Sequence, residues 1–335
     1  CLFAGLSSFN AILQLAQLCC LKITRIVMTD APVVEAKPLN LDMPRSVKFF
    51  NIVAKPFAKT AIKLDPDKLM KDAVAQTGLN DFGEGDFEEP YRILLDSLDN
   101  EARLTFLGRK IARDEMVQYL VNRLRIHDTL KNNPEIEEQE VHSPVFILGM
   151  PRTGTTILHD LLAEDRTSRV PMTWEIKLPY PPPEKATYYS DPRIAQVEEQ
   201  LSGVDRLIPD FKTMHPMSAM LPQECVAFSS QQFYSMQLTT QFHLPSYQAW
   251  LDSKADPKVF YRYHKQELQY LQWKMPAARW VLKSPCHLWT MNALSEAYPD
   301  ALIIQNHRDP LKVLSSITSL IRTLRSLCSS EVDAN

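Results

Sequence analysis

PVFILGMPRTGTTILHDLLAED, residues 144–165, is the stretch on which the fold reading turns. Val145 to Leu148 is a short apolar run closed by Gly149, the length and composition of a strand buried on both faces. From Thr155 the pattern becomes helical. Between the two, Gly149 and Gly154 bracket four residues, the G-x-x-x-x-G spacing of a loop that wraps an anion. Such a loop offers unpaired backbone N–H groups and the positive end of the helix dipole. Its glycines let the backbone curl where side chains would obstruct, and Thr155 and Thr156 add hydroxyl donors. Yet Thr155 stands where a phosphate-reaching lysine would be, and the nearest cation is Arg152, inside the loop. A triphosphate would be poorly neutralised here. A group with one negative charge on each of two linked centres, such as a 5′-phosphosulfate, fits better. For the loop taken alone, a plain turn remains the alternative.

Outward from this stretch the same alternation continues. SRVPMTWEI (168–176) reads as a second strand, RWVLKSP (279–285) as a third and ALIIQNHRD (301–309) as a fourth. Helical patterns fill 191–275, then 290–298, then 310–324, the last capped by Asp309 with Pro310 in its first turn. Strands alternating with helices predict an α/β fold, a P-loop-type parallel sheet covered on both faces, over residues 141–335. Upstream, residues 31–64 read as a proline-containing linker or surface arm. Helices are expected at 67–79, 88–98 and 114–133, so residues 31–140 form a linker and helical segment.

Composition narrows the class. With 45% hydrophobic and 23% charged residues the chain can bury a core of its own. The net charge of −3 gives no global basic field for nucleic acid or an acidic membrane, so any basic binding surface must be local. Six cysteines (Cys1, Cys19, Cys20, Cys225, Cys286 and Cys328) form no C-x-x-C pair and no zinc-ligand spacing with histidine. They read as free thiols in a reducing, cytoplasmic setting. Residues 1–30 read as an apolar N-terminal extension, near the end of which Met28 looks like a natural start. Residues 2–21 are long enough to span a bilayer, but they carry Ser, Asn and Gln and lack a basic stretch before them. The reading adopted is therefore not a membrane anchor.

A second motif lies far along the chain. In HRDPLKVLSS, Arg308 precedes a helix and Ser316 follows eight residues on, some two turns into it at about 1.5 Å per residue. An arginine there can grip a phosphate through paired N–H donors. Together, Pro151-Arg152-Thr153-Gly154-Thr155-Thr156 and Arg308…Ser316 resemble the PAPS-dependent sulfotransferases, and WVLKSPCHL and HRDPLKVL look like the large, mostly bacterial branch. The resemblance covers about residues 140–325.

The resemblance implies transfer of a sulfuryl group from PAPS (3′-phosphoadenosine 5′-phosphosulfate) to a hydroxyl or amine acceptor, with no metal. The loop, from Gly149 through Thr156, would read the 5′-phosphosulfate, and Arg308 with Ser316 the 3′-phosphate. Arg152 would take the place of the lysine of cytosolic members and stabilise charge on the bridging oxygen. The family's further C-terminal nucleotide contacts are missing from the sequence, so the chain is expected to be incomplete at that end. For the general base, Glu175 is expected at the end of the second strand, near the spacing of the glutamate in protein-tyrosine members. Trp174 and the following prolines would desolvate it and raise its pKa. His287 is its rival, and Lys283 is expected to touch the donor's sulfate or phosphate. His215 and Glu224 are candidates for lining the acceptor pocket. Phe228, Phe233, Tyr234 and Trp250 read as core rather than as an acceptor box. The acceptor is expected to be a small molecule, glycan or lipid, and not nucleic acid. A P-loop kinase or NTPase, or an inactive nucleotide-binding fragment, stays open as the competing reading.

Overall fold

A computed structural model describes residues 43–330 apart from 166, 209–210 and 212–215. The apolar extension at 1–30 and His215 lie outside the described residues. Helix α1 (Arg45–Ala54) begins where the sequence suggested an irregular linker. Pro44 and Pro56 bound the helix rather than disrupt it, because a proline is tolerated at a helix end and between them lie eleven residues free of proline and glycine. Helices α2 (Pro66–Thr77), α3 (Glu88–Asn100) and α4 (Phe106–Asn132) follow the expected periodicity. Asp65 caps α2 by accepting from Lys68 N at 2.8 Å. Thr105 caps α4 by accepting from Gly108 N at 2.9 Å, so α4 starts a good two turns earlier than its apolar pattern suggested.

From Val145 onward, strands alternate with helices. In order come β1 (Val145–Leu148), α5 (Thr155–Ala163), β2 (Ser168–Arg169), α6 (Thr173–Lys177), α7 (Pro192–Leu207), α8 (Cys225–Gln231), α9 (Met236–Gln241), α10 (Pro245–Ser253) and α11 (Pro257–Gln272). They are followed by β3 (Arg279–Lys283), α12 (Met291–Ala297), β4 (Leu302–Gln305) and α13 (Pro310–Cys328). The four strands form a parallel sheet in the order β2-β3-β1-β4. Phe146 of β1 stands opposite Leu282 on one side and Ile303 on the other.

The second strand is much shorter than its sequence suggested. Pro171 has no N–H with which to extend a ladder. Glu175 then accepts from Met172 N at 2.9 Å and opens α6 instead. The expected strand-end glutamate is therefore a helix residue.

Strand alternation divides the core. Phe146, Leu148, Trp280 and Leu282 pack against Phe228 of α8, Leu268 of α11 and Leu294 of α12. Val145, Ile147 and Val281 face Leu158 and Leu162 of α5 on the other side. A further core joins Leu94 and Leu120 of the first helices to Phe233, Trp250 and Leu327, with Tyr234 packed against it. The aromatic set thus lies in core. β4, at the sheet edge, stays exposed along its length. Among the described residues no helix is long and apolar enough to cross a membrane.

Candidate functional site

The loop between β1 and α5 stands at the carboxyl ends of the two central strands, where open parallel sheets hold ligands. Its shape depends on two glycines. A Cβ on Gly149 would lie 2.7 Å from Thr153 Oγ1 and 3.1 Å from the carbonyl oxygen of Asn306, so only glycine lets the loop close. Gly154 has φ +92° and is the N-cap of α5, where its left-handed conformation suits glycine. Arg152 also has a positive φ, 71°, which for a side-chain-bearing residue costs on the order of 1–3 kcal/mol. Its surroundings hold it there. Arg152 Nε donates to Ser316 Oγ of α13 at 3.0 Å, and Arg308 donates to the Arg152 carbonyl at 2.9 Å. The two motifs, more than 150 residues apart, therefore meet at one residue.

A second group of side chains borders the same loop. Lys283 ends β3, beside Ile147 of β1 in the ladder. Its ammonium is almost fully buried, donating to Thr156 Oγ1 at 3.3 Å and ion-paired with Glu224. Glu224 is the N-cap of α8, and its side chain keeps 20% of its exposure. The sequence put Glu224 at the acceptor pocket, and its pairing with Lys283 was missed. His159, on α5 behind Lys283, bonds the Val281 carbonyl at 3.1 Å. Burial, aided by the Lys283 charge, pushes its pKa down to about 4, so it sits neutral.

The two candidate bases stand elsewhere. Glu175 is fully buried. One carboxylate oxygen accepts from Arg169 at 2.6 Å and the other from Met172 N at 2.9 Å. Arg169 also donates to the Leu271 carbonyl and lies over the Trp280 ring. Both oxygens of Glu175 are thus engaged in holding α6 to the sheet. His287 is equally enclosed. Its Nδ1 bonds Tyr261 Oη at 2.7 Å, and its ring packs edge-on to Phe146. Burial, with the neighbouring His264, holds its pKa well below the ordinary histidine range. It sits as a packing histidine within the core. Among the described residues no three His, Cys, Asp or Glu side chains gather into a metal-holding group.

The Arg169–Glu175 pair sets up a stability prediction. Glu175→Gln leaves a buried guanidinium without its counter-charge and is expected to cost about 3–5 kcal/mol. Urea unfolding measures it. A variant as stable as the parent would show that the pair does not hold α6.

The array presents helix-terminal N–H groups, three threonine hydroxyls and three cations, Arg152, Lys283 and Arg308, around one loop. It suits an extended anion with two charged ends. The Sulfotransferase family model matches residues 144–334. A Mycobacterium tuberculosis protein named omega-hydroxy-beta-dihydromenaquinone-9 sulfotransferase Stf3 is 29% identical over 189 residues, 54% of this chain and 46% of that one. The chain thus matches about half the length of this curated relative. The crystal structure of sulfotransferase STF1 from Mycobacterium tuberculosis aligns with TM-score 0.72 and 34% identity, covering 79% of this chain and 73% of that one. STF9 from Mycobacterium avium aligns with TM-score 0.73 and 31% identity, over 79% and 68%.

Proposed function

Because the chain belongs to the sulfotransferase family, we propose that it uses PAPS as donor and sulfates a hydroxyl of a small, largely apolar acceptor. The observation that carries the donor assignment is the meeting of Arg308, Ser316 and Arg152 at one loop. When bound, PAPS supplies a sulfuryl group whose bond to the bridging phosphate oxygen breaks as the acceptor oxygen bonds to sulfur. The residues present fit such a donor. The N–H groups at the start of α5 and the hydroxyls of Thr153, Thr155 and Thr156 receive the phosphosulfate, while Arg308 and Ser316 receive the 3′-phosphate.

Lys283 and Arg152 neutralise the charge that grows on the bridging oxygen, which fixed cations do best in a partly dry site. Glu224 takes the acceptor's proton. It is the carboxylate that touches Lys283, and it retains access to solvent. The acceptor class rests on the exposed Met150, Ile157 and Trp289, which flank the loop and follow β3. It rests also on the curated relative, whose name gives it a menaquinone-derived, lipid-like substrate.

Calorimetric titration tests the donor assignment. Adenosine 3′,5′-bisphosphate is expected to bind without metal, and ATP with Mg²⁺ is not. Arg308→Ala is expected to weaken the bisphosphate by about 1.5–3 kcal/mol, the range for hydrogen bonds to charged groups. Binding of adenosine 5′-phosphate should barely change. Equal losses for both nucleotides would remove Arg308 from the 3′-phosphate, and tight ATP binding would restore the kinase reading.

A further inference from the structure

Helix α1 carries its apolar stripe on the wrong side for a soluble protein. None of its residues is buried. At about 100° per residue, Arg45, Phe49, Ile52 and Val53 share one side, and that side faces away from the body. Phe49 is 70% exposed, Ile52 72% and Val53 56%, and Phe57 just beyond is 65% exposed. The opposite side is what attaches the helix. Asn51 Oδ1 accepts from Leu107 N at 3.2 Å, and Phe50 meets Phe106 edge-on with ring centroids 5.1 Å apart. Downstream, Ala58 is buried and fixes the turn that follows. The stripe is therefore presented outward by a fixed helix.

The charges carried by this segment itself all have one sign, although Lys59 pairs with Asp99 of α3 at 3.4 Å. Arg45, Lys48, Lys55, Lys59 and Lys63 are exposed, and no Asp or Glu occurs between Met43 and Leu64. Five positive charges lie within residues 45–63 in a chain whose net charge is −3, and of the five only Lys59 has an acidic partner among the described residues. This is the local basic surface that the overall composition left room for. A second copy is a poor occupant, because pairing this face with itself would bring like charges together. Aromatic and aliphatic side chains flanked by lysines match a different surface, the boundary between anionic headgroups and acyl chains.

We infer that residues 45–63 dock the protein onto an anionic lipid bilayer, with Phe49, Ile52, Val53 and Phe57 entering the acyl boundary and the lysines resting on the headgroups. The inference stands on this face alone and is independent of the donor and acceptor assignments.

Vesicle co-sedimentation of the full chain tests it. Vesicles with about 30% phosphatidylglycerol in phosphatidylcholine are compared with phosphatidylcholine alone. The protein is expected to pellet with the anionic vesicles and to release as salt rises past the screening range. Phe49→Ser with Ile52→Ser is expected to reduce binding more than tenfold, since both side chains lose their acyl contact. Lys48→Glu with Lys55→Glu is expected to abolish the preference for anionic vesicles. Both pairs replace exposed side chains, so an unchanged thermal midpoint verifies folding. Protein that stays in the supernatant overturns the inference, as do variants that bind like the parent. A soluble dimer that Phe49→Ser with Ile52→Ser dissociates would also overturn it, by giving the face to a second copy.

Discussion

Glu224→Gln is expected to lower kcat by about 10²–10⁴-fold, the range for losing a positioned general base. The amide has the shape of the carboxylate and still accepts a hydrogen bond from Lys283, so the site keeps its geometry and loses only basicity. Affinity for adenosine 3′,5′-bisphosphate should therefore stay close to that of the parent. The pH profile separates catalysis from structure. The acidic limb of kcat, which reports a base that must be deprotonated, should be present in the parent and absent from the variant. A variant with full kcat would remove Glu224 from the reaction.

Lys283→Met is expected to cost about 10²–10³-fold in kcat, as loss of one preorganised donor to a developing oxyanion does. Methionine fills much of the same buried volume at the end of β3, so the sheet should be little disturbed. The loss comes from two sources: charge on the bridging oxygen goes unopposed, and Glu224 loses the cation it pairs with. Because the two side chains act through one ion pair, their effects should not add. The double variant Glu224→Gln with Lys283→Met is expected to turn over about as slowly as the worse single variant. A double variant whose losses multiply in full would show that the two residues work separately. An unchanged kcat in Lys283→Met would place the lysine in the scaffold.

The frame of the site was readable in the sequence because its signals are local. A four-residue apolar run, two glycines five apart and a helix specify the loop from adjacent positions. Asp309 followed by Pro310 marks the start of α13, and there the Asp309 side chain accepts from Leu311 N at 2.9 Å. What failed depended on distant partners. The pair that borders the loop joins residues 59 apart in sequence, and no spacing rule announces it. Glu175 looked like a strand-end carboxylate because a methionine at an N-cap gives no sign that a helix begins, and its buried partner Arg169 is visible only in three dimensions. His287 followed Lys283 at a plausible distance, yet the short turn at Pro285–Leu288 directs it into the ring cluster. Residues 45–54 were misread for a simpler reason, since two prolines that bound a helix look like two prolines that prevent one.

The close approach at Gly108 reaches beyond packing. A Cβ there would fall 1.8 Å from the Cys328 carbonyl oxygen, so α4 and the end of α13 touch backbone to backbone. Thr105 N donates to that same carbonyl at 2.9 Å, and Ser329 Oγ donates to Ala102 O at 2.7 Å. The helix carrying Ser316 is thus moored at its far end to the helical segment before residue 141, though the nucleotide motifs all lie after it. The boundary drawn near residue 141 marks a change of sequence character and not a seam at which the protein can be cut. A minimal catalytic fragment trimmed there would keep every motif residue and lose the anchorage that fixes how far Ser316 stands from the loop.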